Sequence, residues 1–438
     1  MKIFVLTIVL VSCNLIYSQI QTEPDSLIQN GTLQNCIRYA LSHQPLLKQS
    51  LIDEEIVNRE INTKLADWFP QLNFNANFQH NYDLPVTIIQ GSATKAGTIN
   101  TSGADFTLTQ NIFNRDILLA SSTAGDVQEQ AKEQTTSNKI NIVVNVSKAF
   151  YAVLLSLQQI DFINEDITRL SVNQKNTTDQ YKAGVVDKTD YKRATIALNN
   201  ANAEKKQDEE QLKANYAVLK QQMGYPEKDS LIVQFDSTRM ENDIGLDTTQ
   251  NVIYQDRIEY QLLQIQKRLQ KANLDYYVWS FFPTLSAFGE YNFNYLNYSF
   301  SKLYNKNYPN SFVGLELSLP IFQGGKRIQE IEQAKLELLR NQYDFVSLEN
   351  SINTQYVQAM ANYKSNLNNF LEFKNNLDLA KDVYNTIQLQ YKSGIKTYLE
   401  LITAESDLRT TEVNYFNALY QVLSSKLDVQ KALGTIKF

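Results

Sequence analysis

The sequence predicts a mainly α-helical chain with a small amount of β-structure, in which a unit of helix, strand, strand and long helical hairpin occurs twice. The five residues ending at Gly184, Gln-Tyr-Lys-Ala-Gly, recur about 210 residues later as Gln-Tyr-Lys-Ser-Gly ending at Gly394. The 438 residues include only 14 glycines and 8 prolines, so helix breakers are scarce. A repeat of this size is far longer than a solenoid repeat. We therefore expect a pseudo-symmetric molecule.

Further landmarks recur in the same order and at nearly the same offset. They are Trp68-Phe69-Pro70 with Phe281-Phe282-Pro283, Asn111-Ile112-Phe113 with Pro320-Ile321-Phe322, and Met223-Gly224 with Leu433-Gly434. These pairs divide the chain into a first repeat at 32–224, an inter-repeat linker in the equatorial region at 225–250, and a second repeat at 251–438. The linker carries acidic residues and has no clear hydrophobic period.

The N-terminal segment predicts export. Residues 1–18 have the pattern of a signal peptide, because Lys2 precedes an apolar run and Ser18 offers a cleavage point. Residues 19–31 then form an N-terminal linker. In the alternative interpretation, Leu-Val-Ser-Cys ending at Cys13 resembles a lipobox, and Cys13 is lipidated. Lipidation would add a membrane anchor without changing the fold.

The first element of each copy is a helix. Thr32 is a suitable N-cap for a run of apolar residues at helical spacing, which continues to about Asp67. The helix must end before Pro70, because the residue before a proline avoids the helical conformation.

The segment at about 71–83 alternates strictly. One face carries Leu72, Phe74, Ala76, Phe78, His80 and Tyr82, and the other carries Gln71, Asn73, Asn75, Asn77, Gln79 and Asn81. A period of two indicates a strand with two unlike faces. A face of neutral amides opposite a face ending in aromatics is typical of an outer-membrane strand between lipid and a wet lumen. For this segment alone, a half-exposed strand of a soluble sheet remains the alternative.

Three more strands show the same alternation, at about 103–112, 284–297 and 311–320. Each is long enough to cross a membrane when tilted, which takes about 9–11 residues. Four strands cannot close a barrel around a lumen, and an open sheet edge cannot lie in lipid. The smallest closed arrangement with a channel takes three chains and twelve strands, so we expect a homotrimer surrounded by outer-membrane lipid.

After each strand pair the pattern returns to helix. Apolar residues from Val143 to Leu170 follow three- and four-residue steps, as in a coiled-coil seam. The helix from about Arg115 to Asp179 would be roughly 100 Å long at 1.5 Å per residue. Gly184 and Gly394 then interrupt the helical pattern, so each copy should form an antiparallel hairpin with a short glycine turn.

Composition excludes several classes of function. The formal net charge of −6 gives no basic field for nucleic acid. The two histidines, His43 and His80, lie in different elements, and with so few cysteines they are too few for a structural zinc site. No phosphate-binding loop or nucleophile motif is present. We therefore expect no catalytic site, no metal and no cofactor.

Taken together, the chain from Thr32 to Gly434 resembles the TolC-like outer-membrane efflux proteins. The most specific mark is a Tyr-x-x-Gly turn followed by an acidic residue and Ala-x-x-x-Leu, present in both copies. The resemblance implies a trimeric 12-stranded β-barrel in the outer membrane that continues into a 12-helix α-barrel across the periplasm. It also implies that the channel docks to a periplasmic adaptor and an inner-membrane efflux pump.

The resemblance also implies functional residues at the hairpin turns. The adaptor-contacting tips would be Gly184, Val185 and Val186 in one turn, and Gly394 and Ile395 in the other. The periplasmic gate would be formed by Asp190, Tyr391, Lys396 and Glu400. Family gates often carry a second acidic residue where this sequence has Thr403, a departure that argues against a double acidic ring and strong cation selectivity. The alternative is that these are solvated charges that form local pairs.

Three functions remain. The leading hypothesis is a passive conduit for small-molecule export in a tripartite efflux system. The second is the exit channel of a type I protein secretion system, which uses the same fold. The third, from another class, is a secreted coiled-coil structural or adhesive protein, against which the amide-faced strands in both copies argue.

Overall fold

The computed structural model describes residue 28 and residues 30–89, 91–234 and 237–438. The signal segment and Cys13 lie outside the described residues. The helices are α1 (Leu33–His43), α2 (Pro45–Leu65), α3 (Arg115–Lys182), α4 (Lys188–Met223), α5 (Ser237–Asn242), α6 (Ile258–Val278), α7 (Lys326–Lys392) and α8 (Tyr398–Leu433). The strands are β1 (Gln71–His80), β2 (Val86–Ile89), β3 (Ser92–Lys95), β4 (Asn100–Phe113), β5 (Thr284–Asn297) and β6 (Asn310–Ser318). The predicted mainly α fold with an internal helix–strand–strand–hairpin duplication is confirmed.

The opening helix is two helices rather than one. Thr32 caps α1 as predicted, since its side chain accepts a hydrogen bond of 3.3 Å from the Asn35 amide. The chain leaves the helical conformation at Gln44, and Pro45 begins α2. Proline disfavours a helical residue before it, yet suits the first position of a new helix. Pro45 therefore accounts for the break.

The long helices of the two copies match closely. Helices α3 and α7 have 68 and 67 residues, and α4 and α8 have 36 each. At 1.5 Å per residue α3 and α7 are about 100 Å long. Among the described helices, α3 alone is long and apolar enough to cross a membrane, but 61% of its apolar window is buried. That burial is the pattern of a core helix, and α3 packs against α8 within the chain.

The four long strands form one antiparallel sheet in the order β1-β4-β5-β6. Its register places Phe74, Phe106 and Tyr291 in one row. The adjacent row carries Asn75, Asp105, Asn292 and Asn310. The Asn75 amide donates a 2.9 Å hydrogen bond to the Asp105 carboxylate along this row. The apolar faces of the strands therefore form one continuous surface. The opposite face is mainly polar, and it also carries Phe288 on β5 and Phe312 on β6.

Three strand boundaries differ from the expectation by two or three residues. Strand β1 ends at His80 rather than near residue 83, and β4 begins opposite it, at Asn100 rather than near residue 103. Strand β6 ends at Ser318 rather than near residue 320, because its partner β5 begins at Thr284, opposite Ser318. The short hairpin β2–β3 between β1 and β4 was not predicted, because its four-residue strands are too short to show a period.

The sheet has two open edges. Among the described residues, β1 pairs only with β4, and β6 pairs only with β5. Four strands in a single chain therefore leave a row of backbone donors and acceptors on each side. Such an edge is a template for pairing with another strand.

The continuous apolar surface predicts how charge is tolerated on β1. An arginine in place of a lipid-facing residue near the membrane midplane costs about 2–4 kcal/mol, whereas a lumen-facing arginine stays hydrated. Phe74→Arg should therefore assemble poorly into the outer membrane, and the neighbouring Asn75→Arg should assemble normally beside Asp105. Quantification of heat-resistant oligomer in outer-membrane fractions tests this. Equal assembly of the two variants would show that the faces are reversed or that the sheet is not in lipid.

Candidate functional site at the hairpin tips

The turns that end α3 and α7 have the same backbone. Gly184 and Gly394 have φ angles of 77° and 75°. In the first turn the Val185 amide donates to the Gln180 carbonyl, and in the second the Ile395 amide donates to the Gln390 carbonyl, both at 2.9 Å. This is a helix C-terminus closed by a left-handed residue, a conformation that glycine adopts without strain. The sequence repeat therefore reflects a repeated backbone requirement.

The helices that leave these turns begin at strong caps. At the start of α4, the Asp187 side chain accepts a 2.6 Å hydrogen bond from the Thr189 amide. Hydrogen bonds from the side chain and the amide of Thr189 lower the pKa of Asp187. At the start of α8, Thr397 and Glu400 form a capping box: the Thr397 amide donates to Glu400 at 2.9 Å, and the Glu400 amide donates back at 3.4 Å. Both turns are therefore fixed by hydrogen bonds on each side.

Each tip presents an apolar side chain to solvent. Val185 and Ile395 are both 72% exposed, at corresponding positions directly after the two glycines. Val186 is half-buried. A β-carbon added at Gly184 or Gly394 would meet no described atom within 4 Å, so both tips have free space around them. Paired exposed apolar residues on rigid turns are suited to contact another protein.

Two of the predicted gate residues form a local pair. The Lys396 ammonium lies 2.6 Å from the Glu400 carboxylate, one turn away on the same hairpin. Lys396, followed by the bonds from Thr397, lowers the pKa of Glu400 to about 2. Both side chains are partly exposed, so salt screens their attraction. Within one chain, Lys396 and Glu400 therefore form the local ion pair that the sequence analysis gave as the alternative to a gate.

Tyr391 instead reaches across to the other hairpin. Its hydroxyl donates to the Gln180 side chain at 3.5 Å, the limit for a hydrogen bond. Burial raises the pKa of Tyr391, a hydrogen bond with Thr177 opposes this effect, and the charge of Asp190 adds to it. The Tyr391 ring also lies edge-on to buried Tyr398, with 6.0 Å between ring centroids. The four predicted residues thus fall into two sets, Lys396 with Glu400, and Tyr391 in the field of Asp190.

Sequence reasoning missed a buried ionic cluster above the tip. Asp166 and Glu405 are 2% and 3% exposed. Arg169 lies between them, 3.2 Å from Asp166 and 3.4 Å from Glu405. Arg409 lies 3.3 Å from Asp166 and 3.6 Å from Glu204. The cluster therefore links α3, α4 and α8, which belong to both hairpins of the chain.

Burial dominates the electrostatics of this cluster. Burial, followed by the charge of Asp166, raises the pKa of Glu405 to about 7, against the opposing effects of Arg169 and Asn173. Glu412, on the same side of α8, also has a raised pKa, again mainly because it is buried. One sequence signal could have revealed the cluster. The four residues Leu401, Glu405, Leu408 and Glu412 follow the three- and four-residue steps of a buried helical stripe.

No three His, Cys, Asp or Glu side chains group as metal ligands in the part of the chain that the structure describes. The clustered carboxylates at Asp166 and Glu405 are each bonded to arginine, which makes them an ion-pair network. The chemistry of this region is therefore packing and charge pairing.

The outer membrane efflux protein family model matches residues 36–225 and 259–435, so that it covers both copies of the repeat. The chain belongs to the outer membrane efflux protein family. The match agrees with the two hairpins, each carried on two strands of one sheet, that the structure contains.

Individual relatives support this membership. The outer membrane protein TolC of Escherichia coli (strain K12) is 24% identical over 447 residues, which cover 94% of this chain and 84% of TolC. The crystal structure of the outer membrane protein VceC from Vibrio cholerae superposes with a TM-score of 0.73 at 12% identity, over 92% of this chain and 96% of VceC. The alkaline protease secretion protein AprF of Pseudomonas aeruginosa is 22% identical over 135 residues, 31% of this chain and 27% of AprF.

Family membership settles the class of function. Like the other members of this family, this chain is an outer-membrane channel that extends into the periplasm. It is a conduit rather than an enzyme. The predicted resemblance is confirmed. A secreted structural or adhesive coiled coil, the third hypothesis, is excluded by this membership.

The buried cluster predicts a pH dependence of unfolding. The pKa of Glu405 is about 7 when folded and near 4.5 when unfolded, so the folded state holds more protons between these values. Stability should therefore fall as pH rises from about 5 to 8, with a contribution from Glu405 of up to about 3 kcal/mol. Glu405→Gln should remove most of this slope, whereas Glu209→Gln, at an exposed site on α4, should keep it. Thermal melts followed by circular dichroism measure both slopes, and an unchanged slope in Glu405→Gln would contradict the assignment.

Proposed function

We propose that this chain is the exit duct of a tripartite efflux system, a passive conduit for small molecules that is gated at its periplasmic tip. The observation that carries the proposal is the combination of a four-stranded sheet open at both edges with two hairpins about 100 Å long in one chain. The sheet, with its apolar face, is suited to lipid, and the tips of the hairpins lie far from the sheet.

Three copies of the chain would complete the channel. Pairing the β6 edge of each copy with the β1 edge of the next gives a closed barrel of twelve strands, which leaves no unsatisfied backbone in lipid. The same symmetry arranges six hairpins as a tube of twelve helices. The proposed homotrimer thus follows from the sheet and supplies both barrels.

The linker at 225–250 has a place in this arrangement, between the proposed repeats at 32–224 and 251–438. Its residues bind the middle of the second hairpin: the Tyr363 hydroxyl donates to the Ile244 carbonyl at 3.0 Å, and Lys374 pairs with Glu241 at 2.5 Å. It also contacts the first repeat, since the Lys220 ammonium donates to the Asp229 carbonyl at 2.7 Å. We assign it as an equatorial band that ties the two repeats together.

The proposed partners are a periplasmic adaptor and an inner-membrane pump. The adaptor surface is formed by Gly184, Val185, Val186, Gly394 and Ile395. These residues form fixed turns at the end farthest from the sheet, where Val185 and Ile395 expose apolar side chains. The pump supplies the energy, since the chain itself belongs to a family of conduits.

The gate is proposed to close at the hairpin tips, where the interactions between side chains are weak. In the trimer, Asp190, Tyr391, Lys396 and Glu400 of adjacent hairpins surround the narrow end of the tube. The Lys396–Glu400 pair is partly exposed, and the Tyr391–Gln180 hydrogen bond is long, so docking of an adaptor has little to break. Three copies of Glu400 near the pore axis would also concentrate negative potential there.

Protein secretion remains a second candidate. The partial likeness to AprF, whose name describes secretion of a protease, is the observation that favours it. The likeness covers only 31% of the chain, whereas the efflux family model matches both copies of the repeat. Small-molecule export is therefore the better-supported proposal.

The tip assignment predicts a separation of assembly from export. Gly394→Trp should place a bulky side chain in free space on the tip, so the trimer should assemble while export of a fluorescent dye is abolished. Gly394→Asn is the matched control, because asparagine tolerates the left-handed conformation and adds little bulk. Dye accumulation in cells, with oligomer yield as the reference, measures this. Normal dye export by assembled Gly394→Trp would contradict the tip assignment, and loss of a secreted protein with unchanged dye export would indicate the secretion function.

The gate assignment predicts a leak. Combining Lys396→Ala with Tyr391→Phe removes the local ion pair and the link between hairpins, so single-channel conductance in planar bilayers should rise several-fold. The thermal stability of the trimer should change little, because both links are weak. Lys392→Ala, at an exposed position between the two gate residues, is the control. Wild-type conductance in the folded double variant would assign these residues to ordinary surface pairing.

A further inference from the structure

A small cavity lies where the strands become helices. It has a volume of about 180 Å³ and lies at the ends of β4, β5 and β6 and the starts of α3 and α7. Three cationic side chains from these elements line it, Arg115, Lys326 and Arg327, against a single carboxylate, Glu330. The cavity therefore has an excess of positive charge at the level where a membrane-spanning sheet meets the periplasm.

Two of the cations are held in fixed positions. The guanidinium of Arg327, which is 9% exposed, donates to Gln323 at 3.0 Å and to the Pro320 carbonyl. Arg115 lies over the Tyr276 ring, with its guanidinium carbon 4.3 Å from the ring centroid. Lys326 is mostly exposed and pairs with Glu330 at 3.7 Å, which leaves its other donors available. The cations are thus positioned before any ligand arrives.

Some donors in this cavity have no partner. Nη1 of Arg115 and Oγ of Ser280 are buried, and neither forms a hydrogen bond with any residue that the structure describes. Helix α7 also begins there, but its Lys326 and Ile328 amides already donate to the Gln323 and Gly325 carbonyls, so the free donors of the cavity belong to side chains. A buried guanidinium donor without a partner is costly, so a ligand that accepts from it is favoured.

We propose that this cavity, the junction site, binds a phosphate-bearing anion, and that its source is the headgroup of a phospholipid in the outer membrane. A guanidinium donor without a partner, beside a lysine ammonium, matches the chemistry of a phosphate group. The proposal concerns the membrane contact of the channel and is independent of its gate and its partners.

The surroundings of the cavity favour a lipid over a soluble anion. Phe282 lines the cavity and is more than half exposed. Phe281, the residue before it, is also about half exposed. Aromatic side chains next to a cationic cavity suit a molecule with a phosphate and acyl chains. Aromatic residues are also enriched at this level of membrane proteins.

The test compares lipid retention by purified channels. Wild-type protein, the Arg115→Gln/Lys326→Gln double variant and the Lys335→Gln control are incubated in detergent with phosphatidylglycerol and examined by native mass spectrometry. Lys335 lies on the same helix, outside the cavity, and pairs with Glu332. The double variant should bind phosphatidylglycerol roughly tenfold more weakly, because two charge-assisted hydrogen bonds are lost. The control should match wild type. Equal retention by all three proteins would overturn the proposal.

Further arms separate the sources of the anion and guard against misfolding. A neutral glycolipid with the same acyl chains should bind wild type no better than it binds the double variant, and a clear preference for wild type would overturn the role of phosphate. Calorimetric binding of inorganic phosphate without retention of phosphatidylglycerol would overturn the lipid source. Lys326→Gln alone changes an exposed side chain and should fold normally. This single variant replaces the double variant if the latter does not fold, and it should retain less phosphatidylglycerol than wild type.

Discussion

The need to satisfy every backbone hydrogen bond in lipid is the constraint on which this structure depends. The sheet is continuous from β1 to β6, yet its two outer strands each present a free row of donors and acceptors. Water can satisfy such an edge, but hydrocarbon cannot. In the proposed trimer, the β6 edge of each copy pairs with the β1 edge of the next, a closure that needs no further component. The duplicated hairpins of that trimer would form a tube, because each pair of strands carries one hairpin.

Much of this fold could be predicted because its patterns are periodic. Alternation in β1 assigned Phe74 and Asn75 to opposite faces, and the register with β4 continues both faces across the sheet. Because side chains alternate between the two faces of a strand, the register alone decides which residues of neighbouring strands share a face. The ends of elements were harder to predict. Strands β1 and β6 end where their partners β4 and β5 begin, which alternation within one strand does not reveal. Pro45 divides the first helix, because it disfavours the helical conformation in the residue before it.

The tip was predictable for a different reason than the cluster above it. Gly184 and Gly394 mark their turns locally, since a left-handed residue at a helix end is encoded by glycine itself. Asp166, Arg169 and Glu405 come together only when α3 and α8 pack, and their separation in sequence conceals this. Charges on a long helix are usually solvated. Only the position of Glu405 on the stripe of Leu401 and Leu408 indicates burial.

The contrast between these two regions bears on how the proposed gate would open while the hairpins stay packed together. Above the tip, Asp166 and Glu405 share Arg169 in the interior, and removing one partner of such a buried pair costs about 3–5 kcal/mol. At the tip, Tyr391 reaches Gln180 at the limit of a hydrogen bond, and the Lys396–Glu400 pair stays within one hairpin. The two hairpins of a chain are therefore joined firmly by the cluster and only weakly below it. In the proposed gate, docking at the tips would therefore move the ends of the helices before it separates their core.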